Sequence, residues 1–175
     1  LVQAMSGVPS IVAGLFILSA ILYPITKSFS GFMGALALTI LMIPTIARTS
    51  EEVLNLIPND LREAGVALGG TQWRTVAMIV LPAAKSGLIT AVILGVARIA
   101  GETAPLLLLT GGGDKVNANA FSGPLGSLPY YIWKSFNAGS PEALTRAWAG
   151  LLVLVGLVLV LFTFARYLGS KKSSK

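Results

Sequence analysis

An all-α, polytopic membrane fold is predicted by three properties of the chain: 54% of its 175 residues are apolar, 11% are charged, and the apolar residues gather into long runs. Soluble domains average roughly 45–50% apolar and about 25% charged residues. The net charge of +6 arises from 13 Lys and Arg against 7 Asp and Glu. Charges this sparse do not form the basic face that nucleic acid requires, so the expected environment is a lipid bilayer and no nucleic-acid partner is expected. Cys and His are both absent, which excludes disulfides, thiolate or imidazole metal sites, and Ser-His or Cys-His catalysis. No catalytic residue, metal or cofactor is therefore expected. The start at Leu1 reads as internal to a longer protein rather than as a signal peptide.

A spanning helix needs about 20 largely uncharged residues, because a rise of roughly 1.5 Å per residue must cross about 30 Å of hydrocarbon. Residues 9–26, 29–47, 86–110 and 147–165 qualify. Pro9 suits a first helical turn, Lys27 ends the first span, and the short connection predicts a tight antiparallel hairpin with the second. The third span is set at 86–110 rather than at the overlapping window 75–97. Pro82 disfavours helix at Leu81 and predicts a break there, leaving Lys85 to snorkel to the interface. Within this span Gly87, Ala91 and Gly95 form a small-residue stripe suited to close packing by another helix. The fourth span lies between Arg146 and Arg166.

Four spans put both ends of the chain on one side. Arg48, Arg62, Arg74, Lys85, Arg166, Lys171, Lys172 and Lys175 fall there, against Lys27, Lys115, Lys134 and Arg146 on the other. The excess makes the loop 48–85 and the C-terminus cytoplasmic. The outer loop, 111–146, opens on three glycines and contains Pro124, Pro129 and Pro141; its aromatic run, residues 128–136, reads as an interfacial segment.

Two stretches are not explained as lipid-facing helix. The first is the loop 51–82, which is too long for a plain connector. Asp60 and Glu63 have capping-box spacing, Gly69-Gly70 offers a stop, and Thr71 can cap a second short helix. From these residues alone, the segment is either an interfacial helix on the bilayer or a docking helix for a partner protein. The second stretch is residues 97–105. Arg98 near the middle of a span costs about 2.5–3.5 kcal/mol on insertion scales, so something inside must compensate. Either Glu102, four residues on, pairs with it along one helix face, or the guanidinium faces an anion crossing the membrane. Pro105 predicts a kink just beyond.

Glu63-Ala64-Gly65, three residues, Gly69, nine residues, Ile79, one residue and Leu81-Pro82 resemble the Glu-Ala-Ala-x3-Gly-x9-Ile-x-Leu-Pro pattern of bacterial ABC importer permeases. Gly65 departs from it. Gly7-Val8-Pro9-Ser10-Ile11-Val12-Ala13-Gly14, Arg48-Thr49-Ser50-Glu51-Glu52 and Gly101-Glu102-Thr103-Ala104-Pro105-Leu106-Leu107 extend the likeness to the phosphate permeases of the PstA type. The resemblance implies one type I ABC importer transmembrane domain over residues 1–175, with four of an expected six spans, in a bacterial or archaeal inner membrane. It implies that Arg98, Glu102 and Thr103 contribute to phosphate passage. It also implies that Leu61, Arg62, Glu63, Ala64, Gly65, Leu68 and Gly69 form a coupling helix in a cleft of an ATPase. The implied partners are a PstC-type sister permease, a PstB-type ATPase dimer and a PstS-type periplasmic phosphate-binding protein. No Gly-x4-Gly-Lys-Ser/Thr occurs, so the chain is expected to be no enzyme and hydrolysis to come from a partner.

Other readings are weaker. Phosphonate, sulfate or molybdate would also suit Arg98, and a passive anion channel would use the same charge without an energy source. Gly111-Gly112-Gly113-Asp114 matches the Gly-x-Gly-Asp element of intramembrane aspartyl proteases, but the second aspartate of a proton-sharing pair is missing from the other spans.

Overall fold

The computed structural model describes residues 7–113 and 117–171. Lys115, Lys172 and Lys175 of the charge count, and Asp114 of the protease-like run, lie outside the described residues. Those residues are almost entirely helical; their one extended pairing is an isolated bridge between Gly111 and Leu125.

Helix α1, Ser10–Thr26, begins after Pro9, whose carbonyl accepts from the Val12 amide at 2.9 Å. Residues Leu18–Thr26 are wound as π-helix around Pro24. Proline lacks an amide hydrogen and crowds the carbonyl four residues back, and the wider turn relieves both. Lys27 ends the helix in the left-handed conformation, φ 51°. Helix α2, Gly31–Asn55, starts at Ser30, whose hydroxyl accepts from the Met33 amide at 3.3 Å. It runs past the apolar stretch expected at 29–47, because an exposed Arg48–Glu52 pair at 3.4 Å and further helix-compatible residues carry it on. Polarity stops a membrane-embedded stretch without stopping a helix.

Helix α3, Asn59–Ala67, follows Pro58. The expected capping box does not form, since the helix begins at Asn59 with no side-chain cap. The expected stop does. Gly69, at φ 80°, and Gly70 donate to the carbonyls of Val66 and Gly65 at 2.9 and 3.2 Å, which is a Schellman ending. Thr71 caps α4, accepting from the Arg74 amide at 3.3 Å.

Helix α4 runs from Gln72 to Ala100 without the break expected at Pro82. The π-helical turn Val76–Val80 lies just before that proline and opens the backbone where its ring would crowd the Met78 carbonyl. The expected single span at 86–110 is corrected at its other end too. The helix stops at Ala100, Gly101 through Thr103 turn the chain, and Ala104–Leu109 form a short helix, α5. Pro105 sits in the first turn of α5 rather than at a kink inside a longer helix. Two further helices follow, α6 at Leu128–Asn137 and α7 at Pro141–Lys171.

Among the described residues, three helices are long and apolar enough to cross a membrane: Gly31–Asn55, Gln72–Ala100 and the stretch Pro141–Phe164 of α7; Ser10–Thr26 is apolar but shorter. The outward faces stay apolar, with Leu152 75% and Val160 68% exposed. The core sits where α1, α2 and α5 meet, around Ile17, Leu22, Met33, Ala37 and Leu109.

Close backbone approach sets the packing. A Cβ on Gly95 would lie 2.5 Å from Ile46 Cγ1, and one on Gly87 would meet Val53, so the small-residue stripe of α4 receives α2 in antiparallel register. At Gly14 the obstacle is backbone: a Cβ would come within 2.9 Å of Pro105 Cα. Gly14→Ala should therefore separate α1 from α5 and cost about 1–3 kcal/mol, the usual scale of overpacking. Gly156 has nothing within 4 Å of an added Cβ. Gly156→Ala should be neutral or raise stability by up to about 1 kcal/mol through helix propensity. Thermal unfolding of the two variants in detergent checks the contrast.

Candidate functional site: a tethered arginine and a loop helix

Arg98 lies on the last turn of α4, three residues before the chain leaves the helix. Its Nη1 donates to Thr45 Oγ1 on α2 at 3.2 Å. Thr45 is 15 residues beyond Ser30, so the contact lies about 22 Å along α2 from its capped end at roughly 1.5 Å per residue. The rest of Arg98 is exposed on the protein surface.

Among the described residues, the ion pair is Arg48–Glu52, and Arg98 does not pair with Glu102. The intrahelical alternative fails for a local reason. Gly101, at φ −97° and ψ 0°, ends α4, and the Glu102 amide turns back to the Ile99 carbonyl at 3.1 Å. Residue 102 is thus off the helical path that would stack it on residue 98. Glu102 and Thr103 are half-buried in the turn, and the Thr103 carbonyl accepts from the Leu107 amide at 2.9 Å. The break therefore leaves the cation on the last helical turn, held from another helix, and puts a carboxylate and a hydroxyl at successive positions of the turn that follows.

Sequence reasoning missed Thr45. Its signal was weak: one of two threonine hydroxyls, Thr39 and Thr45, in an otherwise apolar run, with nothing in the sequence to indicate that α4 would bring Arg98 opposite Thr45.

The second region is the helix α3 and the turn that follows. Leu61, Glu63 and Ala64 are exposed, Arg62 is half-buried, Gly65 is buried, and Leu68 and Gly69 are exposed at the helix end. Leu68 is 87% exposed, and nearby Leu56 and Trp73 are 81% and 79% exposed. Large apolar side chains held outward on capped turns suit contact with another surface. Arg62 does not share that outward role. Its Nη2 donates to the Leu54 carbonyl at 2.9 Å, tying α3 to the last turn of α2, while its Nε is enclosed. A cavity of ≈ 660 Å³ lies between α3 and α4, lined by Arg62, Glu63, Val66 and Thr75 among others.

Gly65, the position departing from the permease pattern, faces α4. A Cβ there would lie 2.5 Å from Thr75 Cγ2 and 2.9 Å from Ile79 Cδ1. Thr75 is β-branched and buried, so it cannot swing away cheaply.

The order of these parts defines the membrane domain of a binding-protein-dependent transporter. Residues 1–174 match the family described as "Binding-protein-dependent transport system inner membrane component", and the chain belongs to it. With its several apolar helices it is a multi-pass membrane protein and a transport component.

More particularly, its relatives are phosphate permeases. It is 40% identical over 157 residues to "Phosphate transport system permease protein PstA 1" of Mycobacterium tuberculosis (strain ATCC 25618 / H37Rv), covering 90% of this chain and 51% of that protein. PstA of Mycobacterium leprae is 39% identical over 177 residues, 99% of this chain and 58% of its own length. PstA of Haemophilus influenzae is 43% identical over 158 residues, 90% and 55%. The chain thus spans about half the length of the curated relatives it matches.

Among solved structures, "Inward facing conformations of the MetNI methionine ABC transporter" superposes with a TM-score of 0.71 over 97% of this chain and 69% of that one. At 20% identity, what is shared is the fold of an ABC importer transmembrane domain.

The geometry around Gly65 yields a counter-intuitive expectation. Gly65→Ala, which restores the Glu-Ala-Ala pattern that the sequence otherwise resembles, should destabilise the α3–α4 contact by about 1–3 kcal/mol rather than improve it. Faster proteolytic nicking of the loop 56–71 in the variant, read by mass spectrometry, checks this.

Proposed function

We propose that the chain is part of the PstA-type permease subunit of an ATP-driven phosphate importer. Arg98, with Glu102 and Thr103 at the same turn, meets the oxyanion. Helix α3 and its ending, Leu61 to Gly69, form the coupling element. The single observation that carries this is Arg98: a guanidinium on an apolar helix, held by a neutral hydroxyl rather than neutralised by a carboxylate, keeps its full charge for an anion. A planar guanidinium suits tetrahedral oxyanions because two N–H groups can meet two oxygens at once.

The partners follow from what the chain lacks and what it presents. It has no phosphate-cradling Gly-Lys-Ser/Thr loop, so the energy comes from a separate PstB-type ATPase docking on the outward side chains of α3. A PstC-type sister permease completes the path, and a PstS-type periplasmic protein delivers phosphate. The loop 48–85 and the C-terminus face the cytoplasm, in keeping with the Arg and Lys excess there. Closure of the ATPase moves α3 as a rigid piece, since its Schellman ending and its ties to α2 and α4 leave no slack tether, and the membrane helices rock with it.

In vesicles carrying the assembled transporter, Arg98→Gln should reduce uptake of radiolabelled phosphate at least about a hundredfold, the loss of a charged transition-path contact, with unchanged protein in the membrane. Normal uptake would remove Arg98 from the path. Excess sulfate, molybdate or a phosphonate should compete weakly; full competition by one of them would reassign the substrate.

Coupling is tested separately. Glu63→Gln or Gly69→Val should lower the phosphate moved per ATP hydrolysed while hydrolysis continues. Uptake that persists with a hydrolysis-dead ATPase would instead identify a passive channel.

A further inference from the structure

A guanidinium that receives an anion works best when it is aimed before the anion arrives, because ordering a long side chain on binding costs rotamer freedom at that moment. The Thr45 hydroxyl is itself oriented. It donates to the Leu41 carbonyl at 3.3 Å, which leaves its lone pairs to accept from Arg98 Nη1 at 3.2 Å. One N–H of the fork is thereby committed. The Nε and Nη2 edge, the one that meets two oxygens in parallel, is left for a ligand.

The same helix is gripped elsewhere. Arg62 of α3 donates to the Leu54 carbonyl at 2.9 Å. Leu54 is nine residues beyond Thr45, about 14 Å along the axis at roughly 1.5 Å per residue. Helix α2 therefore holds the Arg98 guanidinium at one level and the loop helix α3 at another. Next to Thr45 the helix contains Pro44, which deletes one backbone hydrogen bond at that level.

We propose that Thr45 is the positioning residue for Arg98, and that α2, pinned to α3 by Arg62, shifts the Thr45 hydroxyl relative to Arg98 when the coupling element moves. The inference rests on the reading of Arg98 as the oxyanion-facing group. It adds a state dependence: the guanidinium is aimed while Thr45 is in reach and loses its aim when α2 is displaced, so oxyanion affinity falls in step with the movement of α3.

The test uses the assembled transporter in vesicles and radiolabelled inorganic phosphate. Thr45→Val keeps the shape and removes the acceptor; Thr45→Ala removes both. Each should raise the KM for phosphate about three- to tenfold, the scale of one hydrogen bond of ordinary net strength, with maximal rate changed far less. Thr45→Ser, which keeps the hydroxyl, should return KM to the parent value.

Arg62→Gln should lower the phosphate moved per ATP, and in the Thr45→Val background its further effect should be smaller than in the parent, because the link is already cut. An unchanged or lowered KM in both Thr45→Val and Thr45→Ala would overturn the positioning role. Losses that multiply independently in the double variant would overturn the link through α2. Inactive Arg98→Gln with unaltered Thr45 variants sinks this inference alone, whereas fully active Arg98→Gln sinks the reading beneath it.

Discussion

Hydrocarbon supplies no hydrogen-bond partners, so every polar group on a spanning helix has to be met from within the protein. Arg98 is the sharpest instance, and the α2–α4 contact meets one of its N–H groups. The Thr45 hydroxyl can reach the guanidinium only because α2 lies against the small residues Gly87, Ala91 and Gly95 of α4. A side chain at Gly95 would drive Ile46 and Met42 outward and take Thr45 with them. The packing stripe and the charged site are thus one construction. Dispersion between closely approaching backbones holds the helices together, and the resulting register puts an acceptor beside the charge.

Two of the prolines within the apolar helices are handled by the same principle. Pro24 and Pro82 each sit in or beside a π-helical turn, where the wider backbone absorbs the missing amide and the crowded carbonyl without ending the helix. Pro105, by contrast, begins α5 just after a three-residue turn. The difference lies in the preceding residues. Gly101 adopts an open conformation that ends α4 before the proline is reached, whereas the Val and Ile residues before Pro82 bury apolar surface best by staying helical.

The all-helical class, the first helix, its end at Lys27, the glycine ending of α3 and the Thr71 cap were all legible from composition and local residue chemistry. What misled was the assumption that hydrophobicity and helicity share boundaries. Pro82 read as a breaker because its effect on a regular α-turn was counted without the π-turn that relieves it. Arg98 and Glu102 read as neighbours because helical spacing was carried through Gly101. Thr45 was invisible for a different reason: its role depends on contact across 53 positions of sequence, which one chain's local pattern does not encode. The likeness to importer permeases located the charged turn and the loop helix, but it carried no information on which other helix holds them.

The departure at Gly65 is explained by the same kind of contact. An added Cβ at that position would press on Thr75, which is buried and stiff, so α3 lies this close to α4 only with glycine there. This also means that α3 is braced twice, sterically against α4 at Gly65 and by hydrogen bonding to α2 at Leu54. A displacement applied to α3 therefore reaches both helices that meet at Arg98 and Thr45. It arrives through a hard contact on one side and a directional, breakable bond on the other. In the proposed coupling, this unequal stiffness would convert a common push into relative movement between α2 and α4, and that movement would alter the aim of the guanidinium.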